Sequence, residues 1–269
     1  MKYISLISQQ LMAMGFLTKL KIFLKSTKLF KNWYVYPLVY FKLTKKDHVI
    51  FETKTGLKIK IRVNSTDLMA LTHVWVIQEY SSNDFEINDN DVVIDVGAHI
   101  GLFALFASQF CKHGKIFCFE PIKENYELLI ENINSNKIKN IIPFNFAVSK
   151  TSDSVKIFLN DDYSGHSMFL ETNNFVIVKS KSLHDIFSEN NIQECNFLKL
   201  DCEGAEYEII NSLPPEFLNK IKKYAIEYHL ADIHPELLQQ LIMKLKKLSF
   251  IVNTRPLFSD IGFLFAIKK

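Results

Sequence analysis

The feature that most constrains the fold is an alternation of short apolar strands with helical segments after residue 85. It begins with VIDVGAHIG at residues 93–101, where a strand runs into a glycine-bearing turn and an apolar helix at 100–111. Further strand-like segments lie at residues 115–120, 140–149, 195–204 and 222–230. Because these strands are largely apolar and helical patterns separate them, we predict a mostly parallel α/β sheet covered on both faces.

The two ends of the chain complete this outline. FIVNT and GFLFAIKK near the C-terminus predict an antiparallel edge pair of strands. Alternating residues around Thr53–Gly56 predict a hairpin, and DLMALTHVWVIQEYS after it has helical periodicity. We therefore divide the chain into a basic, aromatic helical arm, a hairpin-and-helix lead-in and a main domain, at residues 1–46, 47–85 and 86–269.

The arm stands apart in charge. It holds nine lysines and no acidic residue, whereas the whole chain is only +3, so the remainder is net acidic. Two interpretations stay open: a helical arm packed on the main domain, or a peripheral surface that rests on the inner face of a membrane. No segment is convincing as a signal peptide, and the cysteines lack metal-binding spacing, so we expect a cytoplasmic protein with reduced thiols.

The glycine turn indicates the kind of ligand. Gly97 and Gly101 bracket it, but His99 stands where a dinucleotide-binding loop would need a bare backbone against pyrophosphate. Asp95 adds an acid that would repel phosphate. Glu120 ends the next strand, where an acid can accept the hydroxyls of a ribose. A ribose without phosphates indicates S-adenosylmethionine, which pairs adenosine with a sulfonium and an ammonium. The expected cofactor contacts are Asp95, Gly97, His99, Gly101 and Glu120, and Gly101 should also let the helix approach the sheet.

A second charged motif ends a later strand. LKLDCEGAE at residues 198–206 contains Lys199, Asp201 and Glu203, which two-residue alternation would place on one face. Charges in an apolar strand are costly unless they are paired, so a cluster of three indicates a site. Asn145, at the end of the third strand, is interpreted either as a contact to the adenine edge or as a turn-forming residue.

These motifs resemble the FkbM family of methyltransferases over about residues 62–230. The resemblance is carried by DVGAHIGLF, FEP, FAVS, SGHSM, VKSKSLHDI, LKLDCEGAE and IEYHL. It implies a Rossmann-like class I methyltransferase fold, S-adenosylmethionine as cofactor, and O-methylation of a sugar hydroxyl in a glycan or glycoconjugate, as in surface polysaccharide biosynthesis. It also adds Glu79 and Tyr80, just before the first core strand, to the cofactor site. The family usually has Asn at the position of His99.

The hypothesis for catalysis starts from the strand ends. Asp201 is the first choice for the base, because a sugar hydroxyl must lose its proton during or after methyl transfer. Lys199 would keep Asp201 ionised or bind a substrate oxygen, and Glu203 belongs to the same cluster. Glu227 and His229, at the end of the next strand, alternate with Tyr228 and so share a face, and both are further catalytic candidates. Asp201, Glu227 and His229 offer an alternative, less favoured role as ligands of a divalent metal.

Two further residues are candidates for substrate contact. His166 lies in a loop that would close over the sugar, or is simply an exposed loop histidine, and Glu206 ends the charged motif. Alternative functions are a non-catalytic glycan-binding protein on the same fold, or O-methylation of a small molecule that is not a sugar. A nicotinamide oxidoreductase is disfavoured by His99, and the net acidic main domain makes a nucleic-acid partner unexpected.

Overall fold

The structure, a computed structural model, describes residues 15–82, 84–159, 166–168 and 173–269. The N-terminal elements are helices α1 (Phe16–Leu29) and α2 (Val35–Tyr40), strands β1 (His48–Glu52) and β2 (Lys58–Arg62), helix α3 (Asp67–Leu71), and a π-helical segment (Thr72–Ile77) that continues α3. The antiparallel pairing of β1 with β2 confirms the predicted hairpin. None of the helices in these ranges combines the length and the apolar character needed to cross a bilayer.

The main domain then alternates strands and helices. Its elements are β3 (Val92–Val96), α4 (Leu102–Ala107), β4 (Lys115–Phe119), α5 (Lys123–Ser135), β5 (Ile141–Phe144), β6 (Ala147–Ser149), β7 (Ser154–Phe158), β8 (Phe175–Ser182), α6 (Leu183–Glu189), β9 (Phe197–Leu200), α7 (Glu206–Ser212), α8 (Pro215–Leu218), β10 (Lys223–Tyr228), α9 (Pro235–Lys247), β11 (Phe250–Pro256) and β12 (Gly262–Lys268). Helix α9 shows why such segments are helical: Pro235 begins it, Leu241 and Leu245 face the core one turn apart, and lysines occupy its last turn.

Within the described residues, seven strands form the central sheet in the order β11-β12-β10-β9-β3-β4-β5. All neighbours are parallel except at β12, which runs antiparallel to both β10 and β11. This confirms the predicted α/β class with an antiparallel C-terminal pair. The chain moves outward from β3 through β4 to β5 and then returns to β9 on the other side of β3. Such a switch point places a ligand cleft outside the carboxyl ends of β3 and β9.

Apolar packing joins the arm and the lead-in to the sheet. Ile22 and Phe30 of the arm, Phe51 of the hairpin and Val93 of β3 belong to one buried cluster. Trp75 of the π-helical segment donates its indole N–H to the carbonyl of Leu102 at 3.0 Å, which ties this segment to the start of α4. The segment therefore forms a fixed wall above the carboxyl ends of the strands.

Three predicted elements differ from the structure. The strand expected at 140–149 is two strands in different sheets, because Asn145 turns away and donates to the carbonyls of Glu120 and Pro121 at 2.9 and 3.1 Å. The strand expected at 195–204 covers only Phe197–Leu200. Glu203 has a left-handed φ of +53°, so the prediction that it shares a strand face with Lys199 is wrong. The helix expected at 100–111 is Leu102–Ala107, since Gly101 stands left-handed before it.

Candidate active site

A cavity of about 200 Å³ opens at the carboxyl ends of β3, β4, β9 and β10. The predicted residues that line it are Glu79, Tyr80, Gly97, His99, Glu120, His166, Lys199, Asp201, Glu203 and Glu227. The strand ends bring these side chains together from positions up to 148 residues apart in the chain. The cavity is therefore the one that the fold predicts for a ligand.

Two glycines shape the turn after β3. Gly97 has a φ of +74°, and a Cβ atom there would lie 1.9 Å from the carbonyl oxygen of Asp201. Gly101 has a φ of +85°, and its Cβ atom would lie 2.4 Å from Cδ1 of Leu129. The first glycine lets the loops after β3 and β9 meet, and the second lets α4 approach α5. Gly97 lines the cavity, whereas Gly101 does not, so the expected cofactor contact of Gly101 is corrected and its expected role in helix packing is the one that the structure shows.

Glu120 forms part of the floor of the cavity. Its Oε2 accepts the backbone N–H of His99 at 2.8 Å, and its Oε1 accepts that of Ile122 at 2.9 Å. Burial raises the pKa of this carboxyl to about 7, although both N–H groups act in the opposite direction. A carboxylate fixed in this way keeps a lone pair on Oε2 for a hydroxyl, and its contact with a ribose stays a prediction.

His99 fastens the glycine turn to the hairpin. Its Nε2 lies 3.0 Å from Nη2 of Arg62 and 3.5 Å from Oδ1 of Asp67, and Arg62 is itself paired with Asp67 at 2.9 Å. Because a guanidinium only donates, Nε2 accepts this bond and the ring is neutral. Burial lowers the pKa of His99, which agrees with the neutral form. Sequence spacing gave no sign of Arg62 or Asp67.

Lys199 lies below the turn in an ion-pair cluster. Its Nζ donates to the carbonyl of Gly97 at 2.7 Å and lies 3.1 Å from Asp95 and 3.6 Å from Asp201. Burial alone would lower the pKa of Lys199, but the two carboxylates raise it above its ordinary value. Asp95 is completely buried and lies outside the cavity lining. This corrects the prediction that Asp95 contacts the cofactor, since its carboxylate serves as the counterion of Lys199.

Tyr80 joins two carboxyl groups. Its hydroxyl lies 2.9 Å from Oδ2 of Asp201 and 2.9 Å from Oε2 of Glu227. One hydroxyl proton cannot serve both, so one carboxyl must carry a proton of its own. Burial and the nearby Asp201 raise the pKa of Glu227 far above its ordinary value. Burial also acts on Asp201, but Lys199 and His229 outweigh it and lower the Asp201 pKa.

These directions assign the protons. Glu227 is protonated and donates to the Tyr80 oxygen, and Tyr80 donates to the ionised Asp201. Tyr80 reaches the two carboxyl groups because the π-helical segment ends at Ile77. The next residue, Gln78, has a left-handed φ of +61° that turns the chain inward. The resemblance suggested cofactor contact for Tyr80, whereas the structure shows it holding Asp201.

His229 lies behind the cavity rather than in its lining. It is only 4% exposed, and its Nδ1 is 3.1 Å from Oε1 of Glu206. Its Nε2 lies 3.6 Å from Glu203 and 3.8 Å from Glu227. Burial lowers the pKa of His229, but these carboxylates raise it well above its usual range. The charged ring positions the carboxylates, which corrects the prediction that it acts on substrate directly.

Two other predicted contacts are corrected by burial or by partners. Glu206 is completely buried, and it accepts the backbone N–H groups of Cys202 at 2.7 Å and Gly204 at 3.0 Å. It therefore shapes the turn after β9 and does not touch substrate. Asn145 does not line the cavity, because its amide is bound to the carbonyls after β4. The turn-forming interpretation of Asn145 is the one that the structure supports.

His166 and His73 complete the lining. Burial, with smaller contributions from His99 and Arg62, lowers the pKa of His166 to about 4, so the interpretation of His166 as an exposed loop residue is wrong. Residues 164 and 165 of the predicted SGHSM loop lie outside the described residues. His73, which the sequence did not single out, bonds Glu79 through Nδ1 at 2.9 Å. Glu79 lies after the end of the π-helical segment that holds His73, so helical spacing gave no signal for this pair.

The predicted metal ligands do lie together. One atom each of Asp201, Glu227 and His229 falls within 4.8 Å of the others. A divalent ion there would have to displace the proton of His229 and approach the ammonium group of Lys199, 3.6 Å from Asp201. The spacing is suitable for a metal, and the Glu203 carboxylate, 3.6 Å from His229, would favour a cation, whereas the Lys199 ammonium and the charged His229 ring would oppose it.

Comparisons with known proteins place these residues in context. A family model described as "Methyltransferase FkbM domain" matches residues 95–252. The tRNA(Phe) (4-demethylwyosine(37)-C(7)) aminocarboxypropyltransferase of Methanocaldococcus jannaschii is 28% identical over 157 residues, 55% of this chain and 61% of that protein. Methyltransferase 1 of Beauveria bassiana is 21% identical over 161 residues, 52% of this chain and 65% of that protein. The match therefore spans less than two thirds of either relative.

The crystal structure of methyltransferase FkbM from Methylobacillus flagellatus aligns with a TM-score of 0.49 and 16% identity. The alignment covers 74% of this chain and 53% of that one.

Proposed function

Because the chain belongs to the methyltransferase FkbM domain family, whose model matches more than half of its length, we propose that it is an S-adenosylmethionine-dependent O-methyltransferase. Its acceptor is a sugar hydroxyl of a glycan or glycoconjugate. The observation that carries this proposal is the ionised Asp201, held by Tyr80 and Lys199 at the mouth of the glycine turn. Such an arrangement prepares a base for a hydroxyl proton.

The residues of the cavity fit S-adenosylmethionine. Glu120, which already accepts bonds from His99, Ile122 and Asn125, keeps acceptor capacity on Oε2 for a ribose hydroxyl, and the turn at Gly97 offers no cluster of cations for phosphates. The carboxylates of Asp201 and Glu203 favour a ligand with positive charge at the other end of the cavity. When bound, the cofactor would supply a methyl group carried on a sulfonium. An oxygen nucleophile can attack this methyl carbon in line, and the sulfur leaves as a neutral thioether.

The remaining lining combines apolar side chains such as Phe103, Phe119 and Met168 with a few polar ones, and these polar groups fit an acceptor that carries hydroxyls. Asp201 and Glu203 are hydrogen-bond acceptors, and the neutral rings of His99 and His166 add both acceptor and donor atoms. A sugar donates several hydrogen bonds to such groups, whereas an apolar acceptor would leave them desolvated and unpaired. These groups therefore favour a sugar over an apolar small molecule.

In this mechanism Asp201 accepts the hydroxyl proton as the acceptor oxygen attacks. Lys199 keeps Asp201 ionised from below, and Tyr80 fixes its orientation through the Oδ2 atom. Protonated Glu227 occupies the second lone pair of Tyr80, so that the tyrosine proton points to Asp201. Asp201 is partly exposed, with 27% of its side chain accessible, so the proton can leave to water after the reaction.

Two alternatives define the test. The archaeal relative is named an aminocarboxypropyltransferase, so the transferred group must be identified and not assumed. A divalent metal on Asp201, Glu227 and His229 would replace the base, and activity would then vanish with EDTA and return with Mg²⁺ or Mn²⁺. We expect EDTA to leave the rate unchanged.

The experiment uses the full chain in two steps. Calorimetry with S-adenosylhomocysteine first establishes cofactor binding. S-adenosylmethionine is then supplied with nucleotide sugars, lipid-linked glycans, polysaccharides and non-sugar alcohols, and products are weighed by mass spectrometry. We expect the wild-type protein to increase the mass of a sugar acceptor by one methyl group. Absence of cofactor binding, a gain matching an aminocarboxypropyl group, or methylation of non-sugar acceptors alone would overturn the proposal. Cofactor and glycan binding without any product would favour a non-catalytic role.

A further inference from the structure

Helix α1 turns an apolar strip away from the body of the protein. Leu17, Leu20 and Leu24 follow the three- and seven-residue spacing of one helix face, and they are 71%, 41% and 51% exposed. The strip continues past the end of the helix, where Trp33 and Tyr34 are also exposed. We call these five residues the arm face.

The two parts of the arm face are contiguous. Phe23 lies beside Leu20 on the helix, and its ring contacts Trp33 with centroids 5.9 Å apart. Trp33 contacts Tyr34 at 6.5 Å. Tryptophan and tyrosine are the aromatic residues that prefer the boundary between lipid and water, because each pairs a large apolar ring with a polar group.

A row of lysines adjoins the arm face. Lys21, Lys25 and Lys28 follow the leucines by one or four residues, which places them on the neighbouring strip of the same exposed side. The sequence has no acidic residue before Asp47 to neutralise them. The exposed side of α1 is therefore half apolar and half cationic.

The opposite side of α1 fixes this orientation. Ile22 and Ser26 are buried, and Phe30 directly after the helix packs on Phe51 of β1 with ring centroids 4.9 Å apart. Helix α2 adds a hydrogen bond of 2.7 Å between the hydroxyls of Tyr36 and Thr72. The arm face thus stands on a packed element, and a partner can meet it without refolding the chain.

We propose that the arm face docks the protein on an anionic lipid bilayer. The leucines and aromatic rings enter the interface between headgroups and acyl chains, while the lysine row meets the anionic headgroups. A second copy of the chain fits less well, since two lysine rows would face each other with no acid between them. A nucleic acid would pair with the lysines but leave the leucines in water. The inference does not depend on which acceptor is methylated.

The docking has a consequence for the site. Thr72, which bonds Tyr36 of α2, precedes His73, and His73 lines the cavity. The lipid surface would therefore lie beyond the wall formed by α3 and the π-helical segment. Acceptors carried on a lipid would be delivered beside this wall.

The test is co-flotation of the full chain with vesicles. Vesicles of phosphatidylglycerol and phosphatidylcholine are compared with phosphatidylcholine alone, at low and at high salt. We expect binding to the anionic vesicles at low salt and a marked loss at high salt. Binding of equal strength to neutral vesicles, or no binding to anionic vesicles, would overturn the proposal.

Variants separate the two contributions. Replacing Lys21, Lys25 and Lys28 by Gln together should weaken partitioning roughly a hundredfold, because each lysine near such a surface contributes about fivefold. The matched control replaces the exposed Lys112, Lys137 and Lys139 by Gln and should leave partitioning within about twofold. Equal losses in the two triple variants would exclude a specific face.

The apolar strip is tested in the same way. Leu20→Ser with Leu24→Ser should weaken partitioning by about tenfold or more, whereas Ile177→Ser with Met243→Ser, also exposed, should not. Because all four side chains are exposed, thermal unfolding should remain at the wild-type temperature and verifies folding. If sedimentation instead shows dimers that the leucine variants abolish, without vesicle binding, the occupant is a second copy and the lipid assignment is wrong.

Discussion

Glu120 and Asp201 are acids at two strand ends of one cavity, yet the protein holds them in different ways. Glu120 is bonded to two backbone N–H groups, and burial raises its pKa to about 7. Asp201 has a charged lysine nearby and a tyrosine hydroxyl that it shares with Glu227, and its pKa is lowered. The first is an isolated acceptor in a rigid cradle, and the second belongs to a coupled set of groups that exchange protons.

The difference suggests a division of labour. Backbone amides hold a carboxylate in position but offer no group with which it can exchange a proton. Such a carboxylate suits the recognition of hydroxyls. A carboxylate kept ionised by a lysine, beside a second carboxyl that remains protonated, suits proton removal. Single substitutions can disrupt each arrangement separately, and the loss of the base should have the largest effect.

Asp201→Asn should lower the rate of methyl transfer by about 10²- to 10⁴-fold, because the general base is lost. Affinity for S-adenosylhomocysteine should stay within about threefold, measured by calorimetry. Glu227→Gln is the matched control, since Glu227 is protonated and an amide can still donate to Tyr80. We expect this control to lose less than about tenfold. Equal losses in both variants would show that the two carboxyls act as an ionised pair, as they would around a metal.

Glu120→Gln should weaken cofactor binding by roughly tenfold to a hundredfold, since hydrogen bonds to a charged acceptor are stronger than those to an amide. In the wild-type protein, a ribose diol requires the ionised carboxylate, so binding releases a proton. Affinity for S-adenosylhomocysteine should therefore fall as the pH drops below about 7. Calorimetry between pH 5.5 and pH 8.5 should show this slope in the wild type and its absence in the variant (the pH range brackets the carboxyl pKa by roughly 1.5 units on each side). The same slope in both proteins would refute the assignment.

Tyr80→Phe removes the hydroxyl without changing the shape of the ring. The rate near neutral pH should fall only about threefold to tenfold, because Lys199 still keeps Asp201 ionised. The acidic limb of the pH–rate profile should move to higher pH by about one unit, since the Tyr80 hydrogen bond lowers the Asp201 pKa in the wild type. A limb that stays in place while the rate falls would indicate that Tyr80 contacts only the cofactor, as the resemblance suggested.

The acids at the strand ends and the pairing of Lys199 with Asp201 were predictable from the sequence, but the other partners of these acids were not. Glu120 and Asp201 follow apolar runs, and parallel strands necessarily bring such positions to one edge of the sheet. Whether the next acid faces the cavity depends on where each strand stops. Asp95 lies within β3 and is buried outside the cavity, whereas Glu203 lies after the end of β9, and the left-handed turn there leaves it in the lining.

The contacts of the glycine turn were hidden for another reason. Arg62 ends a strand of the hairpin and lies 37 residues before His99, so their bond depends on how the hairpin packs on the sheet. His229 posed the same difficulty: β10 ends at Tyr228, and the buried Glu206 draws the ring away from the cavity. Local patterns predict elements and strand ends, whereas the charge partners of buried groups follow from tertiary packing.

Substitutions of His99 have the smallest expected effect. They test the turn whose backbone N–H at His99 holds Glu120. The φ of His99, +51°, is left-handed, a conformation that Asn adopts at a lower cost than Ala. The His99 ring accepts a hydrogen bond from Arg62. His99→Asn should change cofactor affinity less than about twofold, and His99→Ala should reduce it by about threefold and lower the free energy of unfolding. Lys137, exposed and with a φ of +54°, is the matched site, because Lys137→Asn and Lys137→Ala report the backbone cost alone, about 1 kcal/mol. Urea unfolding gives the difference in the free energy of unfolding between the Ala and Asn variants at each position. If this difference is no larger at His99 than at Lys137, the bond to Arg62 contributes nothing to stability and His99 only shapes the turn.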